Sequence, residues 1–418
     1  MLFYNNSLFS RRSLGLVFSI IVLTFCSRST LASPGSLRDQ ALQPPPVNCS
    51  PGSKYANTNR HWQGIPGIER SKNGRLWVVW YSGGDIVPQF KNAEGPDNYI
   101  VLVTSKDNGQ SWSAPKLVID PPGPVRAFDP VLWHDPLGRL WLFWSQSYDW
   151  FDGRVGLWCI VTENSDSVNP TWSQPRRLCN GIMMNKPTVL QNGDWLLPVA
   201  LWRPEVTFRR IGYMHDGSDL DVRSNVYCSR DQGKTWSLRG GVKVPQSNCD
   251  ENMVVQRRDG SLWMLIRTYY GIAETFSKDG GLTWSSPQPS KIKHTVSRFF
   301  IRRLDSGNLI LVKHGKIDQK TKGRRDLRAF ISDDDGQTWR GGLMLDDRLA
   351  VSYPDGVQAP DGRIYLTYDY NRHTDKEIYI AVFTEADILA GKIVNKNSQL
   401  RILVNKAGRK PDQAADNH

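Results

Sequence analysis

The 418-residue chain carries a formal charge of +12, sixteen tryptophans and 35 glycines. Its Lys and Arg residues are scattered among turns and hairpins. They form no basic helix or nucleic-acid motif, which sets nucleic-acid binding aside, while attraction of an acidic saccharide stays compatible. The length admits one large all-β domain or two ordinary ones, and a Trp- and Gly-rich composition suits many short strands and turns.

At the N-terminus, Arg11 and Arg12 precede the apolar run Leu14 to Phe25 and the small-residue stretch Thr30-Leu31-Ala32. Basic, apolar, then small residues form a secretory signal pattern, so residues 1–32 are expected to be a signal peptide cleaved after Ala32, with a secreted or periplasmic product. The apolar run is short for a membrane span, and no other run is long enough, so no membrane span is expected after cleavage. Cleavage leaves Cys49, Cys159, Cys179, Cys228 and Cys249, an odd set whose spacing does not resemble a zinc site; buried or bridged cysteine is the reading. Residues 33–58, with Pro44-Pro45-Pro46, read as an irregular lead-in.

From His61 onward short apolar runs alternate with turns. The stretch Asp250 to Trp284 reads as one complete unit: Val254-Val255, the turn Arg258-Asp259-Gly260, the run Leu262 to Ile266, a third run ending at Phe276, and a polar turn closed by Trp284. Asp-Gly supplies the φ > 0 residues that short hairpins need, so this is a meander. Its closing turn, S-x-D-x-G-x-[ST]-W, recurs at Ser105–Trp112, Ser229–Trp236, Ser277–Trp284 and Ser332–Trp339, with a degenerate copy at Ser165–Trp172. Successive copies lie about 50 to 65 residues apart, the signature of a propeller or a similar array of short strands. Six blades are expected, at about 61–118, 126–178, 184–242, 250–284, 296–345 and 351–404, with a short helix at Glu385 to Leu389. One propeller over 59–405 and a disordered tail over 406–418 complete the organisation.

Repeated Asp-boxes on meandering strands resemble the sialidase (neuraminidase) superfamily, over roughly residues 60–390. The resemblance implies an all-β, six-bladed β-propeller. It also implies three arginines that hold a substrate carboxylate, a tyrosine nucleophile activated by a glutamate, and a separate acid/base aspartate. The chemistry explains these types. Arginine bonds a carboxylate bidentately. A neutral phenol approaches an anionic sugar with less repulsion than a carboxylate would. Because a phenol's ordinary pKa is about 10, it needs a nearby base.

Glu251 and Arg267, on either side of the hairpin turn, match the family's glutamate and second arginine. Arg324, with Arg325 next, matches the third arginine. Tyr353, ahead of the turn Asp361-Gly362, matches the nucleophile. Each has a plainer alternative: a Glu–Arg brace, a solvated basic loop, a core tyrosine.

Two departures stand out. The family's first arginine sits in an Arg-Ile-Pro motif, but here the stretch is Gln63-Gly64-Ile65-Pro66. The family's acidic loop residue is represented by Glu94, or by Asp97 as second choice. Arg126 either compensates for Gly64 from the next blade or pairs structurally with Asp129. His61 and Lys186 read as satisfied structural residues.

The resemblance therefore implies an exported, exo-acting, retaining glycoside hydrolase releasing a terminal sialic acid or related acidic sugar from a glycan. No cofactor and no metal are needed for that chemistry. The alternatives are another glycosidase or a polysaccharide lyase on the same propeller, or a non-catalytic glycan- or protein-binding propeller, in which Tyr353 and Glu251 would lie beyond hydrogen-bond reach of each other or be buried away from the central pocket.

Overall fold

A computed structural model describes residues 38–83, 94–150, 152–202, 223–247 and 249–408. Among these, six antiparallel sheets form the blades of an all-β, six-bladed propeller. The innermost strands are Trp62–Arg70, Val125–His134, Thr188–Val189, Met253–Gln256, Phe300–Arg303 and Val351–Gln358. The second strands, such as Leu76–Gly83, Leu140–Tyr148 and Leu262–Thr268, are buried along almost their whole length. That follows from packing both sheet faces against neighbouring blades, so these strands read as continuous apolar runs rather than alternating ones.

The lead-in is more ordered than its composition implied. Val47–Asn48 pairs antiparallel with Val118 and Ile119 and adds a fifth strand to blade one. Short 3-10 turns occur at Asp39–Leu42, Ser53–Tyr55 and Asn57–Asn59. The last strand, Gln399–Lys406, ends where the polar tail begins. The signal-like segment and residues 409–418 lie outside the described residues. The helix Glu385–Ala390 forms, capped reciprocally by Thr384 and Asp387 and ended by Gly391 at φ +67°. No disulfide joins the five described cysteines. No described helix is long and apolar enough to cross a membrane.

The Asp-boxes lie at the third-to-fourth strand turns, all at one end of the channel. In the copy at Ser277, its Oγ donates to Asp279 Oδ1 at 2.8 Å and accepts from Gly281 N at 2.8 Å, and Asp279 accepts from Thr283 N at 2.9 Å. Gly281 supplies φ +93° and its carbonyl accepts from Trp284 Nε1 at 3.1 Å. Three of the boxes are also held by the preceding blade's hairpin turn: Asn73 N donates to Asp166, Arg139 to the Gln232 carbonyl, and Arg258 N to Asp335. The boxes therefore couple neighbouring blades as well as closing their own turns.

The channel centre is polar. Lys186, 2% exposed, donates to the carbonyls of Ile68 (2.7 Å) and Leu132 (2.6 Å), and faces Glu69 at 2.9 Å and Asp355 at 3.1 Å. Asn185 beside it donates to the Glu251 and Asn252 carbonyls and accepts from Arg298 Nε at 2.8 Å. All six blades meet at this Asn-Lys dipeptide. Replacing Lys186 by Met removes the ammonium that two buried carboxylates share and leaves, among the described basic side chains, only Arg298 at 3.6 Å for Asp355 and His134 for Glu69, a loss of about 3–5 kcal/mol. Urea denaturation of the variant is expected to show that drop with an unchanged m-value, and a midpoint equal to wild type would refute the staple.

Candidate active site

The end of the channel opposite the Asp-boxes collects the starts of the inner strands and the loops joining second to third strands. Three inner strands break register at the same point: between Gly64 and Gly67, between Phe128 and Val131, and between Ser352 and Asp355. Each break holds an X-Pro pair: Ile65-Pro66, Asp129-Pro130 and Tyr353-Pro354. Proline has no N–H to give to a ladder, so inside a sheet it belongs at a bulge. The residue before it stands at positive φ: +58° for Ile65, +49° for Asp129 and +55° for Tyr353. Non-glycine residues held there cost about 1–3 kcal/mol each and cluster at functional sites.

Tyr353 is 6% exposed. Its hydroxyl donates to Glu251 Oε1 at 3.4 Å, and Arg267 Nη1 lies 2.5 Å from the same Glu251 oxygen and 3.5 Å from the Tyr353 hydroxyl. Tyr353 and Glu251 thus lie within hydrogen-bond reach of each other. Glu251 just precedes the inner strand Met253–Gln256, at φ +31°, and Arg267 closes the second strand, its N–H bonded to the Asp250 carbonyl at 3.1 Å. Arg324 reaches over from blade five, with Cζ 4.9 Å from the centre of the Tyr353 ring and Nη1 3.4 Å from Ser352 Oγ. Arg325, in contrast, is half exposed and faces Asp326 at 3.6 Å, because adjacent residues in the extended loop point opposite ways. It does not join the cluster, which corrects its place among the candidate binding residues.

A third guanidinium comes from a residue that the sequence reading missed. Arg372, in the loop after Ile364–Tyr370, has Cζ 4.8 Å from the Tyr353 ring centre and Nε 3.7 Å from Asp369. It fills the space that Gly64 leaves open. A Cβ at position 64 would fall 2.2 Å from Arg372 Cδ and 2.7 Å from its Cγ. The arginine expected on the first blade is thus replaced by one from the sixth, and not by Arg126. Arg126 instead donates to the Trp150 carbonyl and to Asn98 Oδ1, and lies 4.2 Å over the Phe128 ring, forming wall rather than clamp. The signal that could have found Arg372 was the glycine itself, at a position where a large side chain was expected.

Asp369 organises this corner. It accepts from Ile65 N at 2.8 Å and from Ser352 Oγ at 2.5 Å, holding two of the bulges while facing Arg372. On the other side, Glu94 accepts from the Tyr81 hydroxyl at 2.7 Å. Asp97 stays on the same loop, next to the buried Asn98.

Burial and the charge of Glu251 raise the Tyr353 phenol above its ordinary range, against the pull of Arg324, Arg267 and Arg372. The resting phenol is therefore protonated, with Glu251 placed to receive the proton. Burial, together with Glu94 and Glu251, pushes the Asp129 carboxyl up to about 8, with Arg126 opposing. At neutral pH Asp129 therefore carries its proton. Among the described residues no cluster of side chains fits a metal ion.

A family model described as the BNR repeat-like domain matches residues 74–366. The sialidase of Clostridium perfringens is 27% identical over 225 residues, 47% of this chain and 55% of that protein. The sialidase of Paraclostridium sordellii is 26% identical over 268 residues, 57% of this chain and 61% of that protein. The chain thus spans somewhat over half the length of these curated relatives. The solved intramolecular trans-sialidase from Ruminococcus gnavus, in complex with oseltamivir carboxylate, has the same fold at a TM-score of 0.58 and 14% identity, over 82% of this chain and 98% of that one.

Two outcomes follow from this geometry. Gly64→Ala is expected to push Arg372 from its place and lower stability by about 1–3 kcal/mol. Adding Arg372→Gly should relieve the clash, so calorimetry on the single and double variants checks it; equal melting temperatures would refute the packing. For Asp129, the folded carboxyl keeps a proton that the unfolded chain loses near pH 4. Its contribution is complete below that value and is lost as pH rises to about 8. Asp129→Asn should flatten that part of the stability–pH curve in chemical denaturation.

Proposed function

The chain belongs to the BNR repeat-like domain family, within the sialidase superfamily, and on that premise we propose that it is an exported, retaining exo-glycosidase that releases a terminal sialic acid or related acidic sugar from glycans. The observation that carries this reading is the set of three guanidiniums around one buried phenol: Arg324 and Arg372 over the Tyr353 ring, and Arg267 3.5 Å from its hydroxyl. Structural ion pairs need one cation per anion. Here Arg267 shares Glu251 with Tyr353, and Arg372 stands 3.7 Å from its nearest carboxylate. Such an arrangement suits an incoming carboxylate, which guanidinium groups bind in forked geometry.

In this mechanism the sugar carboxylate lies on Arg267, Arg324 and Arg372, which brings the anomeric carbon to Tyr353. The phenol oxygen attacks while Glu251 takes its proton, so no free phenolate has to form beside the incoming anion. Glu94, on the opposite side of the site, protonates the leaving oxygen and later activates the water that releases the sugar from Tyr353. Asp129, protonated at neutral pH, donates a hydrogen bond to a sugar hydroxyl. Asp97 serves as the alternative acid on the same loop.

The purified protein is expected to release fluorophore from an aryl α-sialoside, and Tyr353→Phe to lose roughly 100-fold or more of kcat/KM. Glu94→Gln should impair hydrolysis of an alkyl-linked sialoside far more than of the aryl one, whose leaving group needs no proton. Equal impairment of the two would remove Glu94 from the acid role. No turnover of any sialoside by folded wild type, with uronic acid glycosides cleaved instead, would keep the mechanism and change the sugar.

A further inference from the structure

The Asp-box end of the channel holds a second constellation, on a cavity of about 580 Å³ at the opposite end from Tyr353. Ser165 Oγ lies 2.9 Å from His134 Nε2, and His134 Nδ1 lies 3.1 Å from Glu69 Oε2. All three residues line the cavity. We propose that Ser165, His134 and Glu69 form a second, serine-hydrolase-type site that cleaves carboxylic esters with a small acyl group.

The degenerate Asp-box supplies the first argument. In the four regular copies the box serine is engaged by its own turn: Ser105, Ser229, Ser277 and Ser332 each donate to the aspartate two residues on and accept from the glycine four residues on. In the copy at Ser165 those positions are Ser167 and Asn169. The carboxylate that would hold the hydroxyl is missing, and the hydroxyl meets an imidazole instead. The turn itself stays fixed from outside. Trp77 Nε1 donates to the Ser165 carbonyl at 2.8 Å, Asn73 N to Asp166 at 3.0 Å, and Arg75 Nε to the Asp166 carbonyl at 3.0 Å.

The second argument is the proton order. Glu69 is buried, which alone would raise its pKa, but Lys186 at 2.9 Å and His134 hold it down to about 2. It is a carboxylate and only accepts hydrogen bonds. In the neutral imidazole, Nδ1 must then carry the hydrogen, leaving Nε2 with a lone pair toward the Ser165 hydroxyl. That is the order in which a histidine acts as base on a serine while a carboxylate fixes its tautomer. The His134 side chain is 18% exposed while that of Glu69 is 5% exposed, so the base faces the cavity and the carboxylate lies behind it.

The chemistry balances with water as the only co-reactant. Ser165 Oγ bonds to the ester carbonyl carbon as His134 Nε2 takes the hydroxyl proton. The tetrahedral adduct expels the alcohol, which leaves with that proton, and an acyl-serine remains. Water then attacks the acyl group, giving its proton to His134, and the carboxylic acid departs as Ser165 regains its hydrogen. Arg70, Lys72 and Arg302 on the cavity wall provide the positive field for the developing oxyanion. Leu137 and Ile364 provide apolar wall for a short acyl chain. This site is independent of the glycosidase reading at the other end.

The test is labelling of the wild-type protein with diisopropyl fluorophosphate, followed by peptide mass mapping, together with p-nitrophenyl acetate turnover. Stoichiometric modification of Ser165, slowed roughly 100-fold or more by His134→Gln, is expected, with ester turnover falling to background in Ser165→Ala. A modified peptide elsewhere, or none, overturns the proposal, and this holds even if Ser165→Ala does not fold, because the mapping uses wild type. Turnover unchanged in a folded Ser165→Ala variant overturns it equally.

Discussion

Lys186 is the group on which the six blades converge. An ammonium is a compact charge with three hydrogens, and burying one is tolerated only when every hydrogen finds an acceptor. Here the acceptors come from three other blades: Ile68 and Glu69 of the first, Leu132 of the second and Asp355 of the sixth. Asn185 extends the set to the fourth and fifth through Glu251, Asn252 and Arg298. A propeller has no single hydrophobic centre, because its apolar contacts run between neighbouring sheets. The narrow axis is where backbone carbonyls of the inner strands would otherwise be left without partners. A polar hub meets that need, and it fixes the rotation of each blade about the axis. It also places the two ends of the channel in register. Asn185 holds the Glu251 carbonyl on the side of the phenol, while Lys186 holds the Glu69 carboxylate on the side of the imidazole.

The three X-Pro bulges carry the hub's order to the active end. A regular inner strand would point alternate side chains into the neighbouring blades. Breaking the ladder at Ile65, Asp129 and Tyr353 interrupts that alternation at one level of three blades. The strain at positive φ is offset by bonds that only the bulged form makes, such as Ile65 N to Asp369. The phenol, its carboxylate partner and the guanidiniums are therefore held in fixed relative positions by the backbone, the kind of support that a preorganised site needs.

Much of this was legible in the sequence, for identifiable reasons. The four regular boxes, the Asp-Gly hairpins and the apolar second strands each encode local structure, so the blades fall close to where the turns and runs put them. Glu251, Arg267, Arg324 and Tyr353 were legible through the resemblance to the sialidase superfamily, because each stands near a hairpin or box as the family's residue does. Three things were not. The strand Val47–Asn48 was hidden because two residues carry no periodicity, and it exists only through pairing with Val118 and Ile119. Arg325 could not be separated from Arg324 because the direction of a loop side chain depends on tertiary surroundings. Arg372 was invisible because its partners, Gly64, Trp62 and Tyr353, are distant in the chain and meet it only when the sixth blade closes against the first.

That last case shows how a propeller can bring a guanidinium to the same place from a different blade. The first and sixth blades adjoin, and Gln63 Nε2 bonds the Lys376 carbonyl across their seam at 2.7 Å. A guanidinium beside Tyr353 can therefore be delivered from either blade. Delivery from Gly64 would place the charge at the end of a side chain rising from an inner strand. Delivery from Arg372 brings it in from a loop, with Asp369 behind it and the Trp62 ring 5.7 Å from its Cζ. The two routes exclude each other sterically, since the first atom of any side chain at 64 would occupy the Arg372 stem. The glycine is thus a requirement of the arginine rather than a loss of one. What differs is the direction from which the guanidinium approaches the Tyr353 ring, and with it the space left on the first-blade side of that ring.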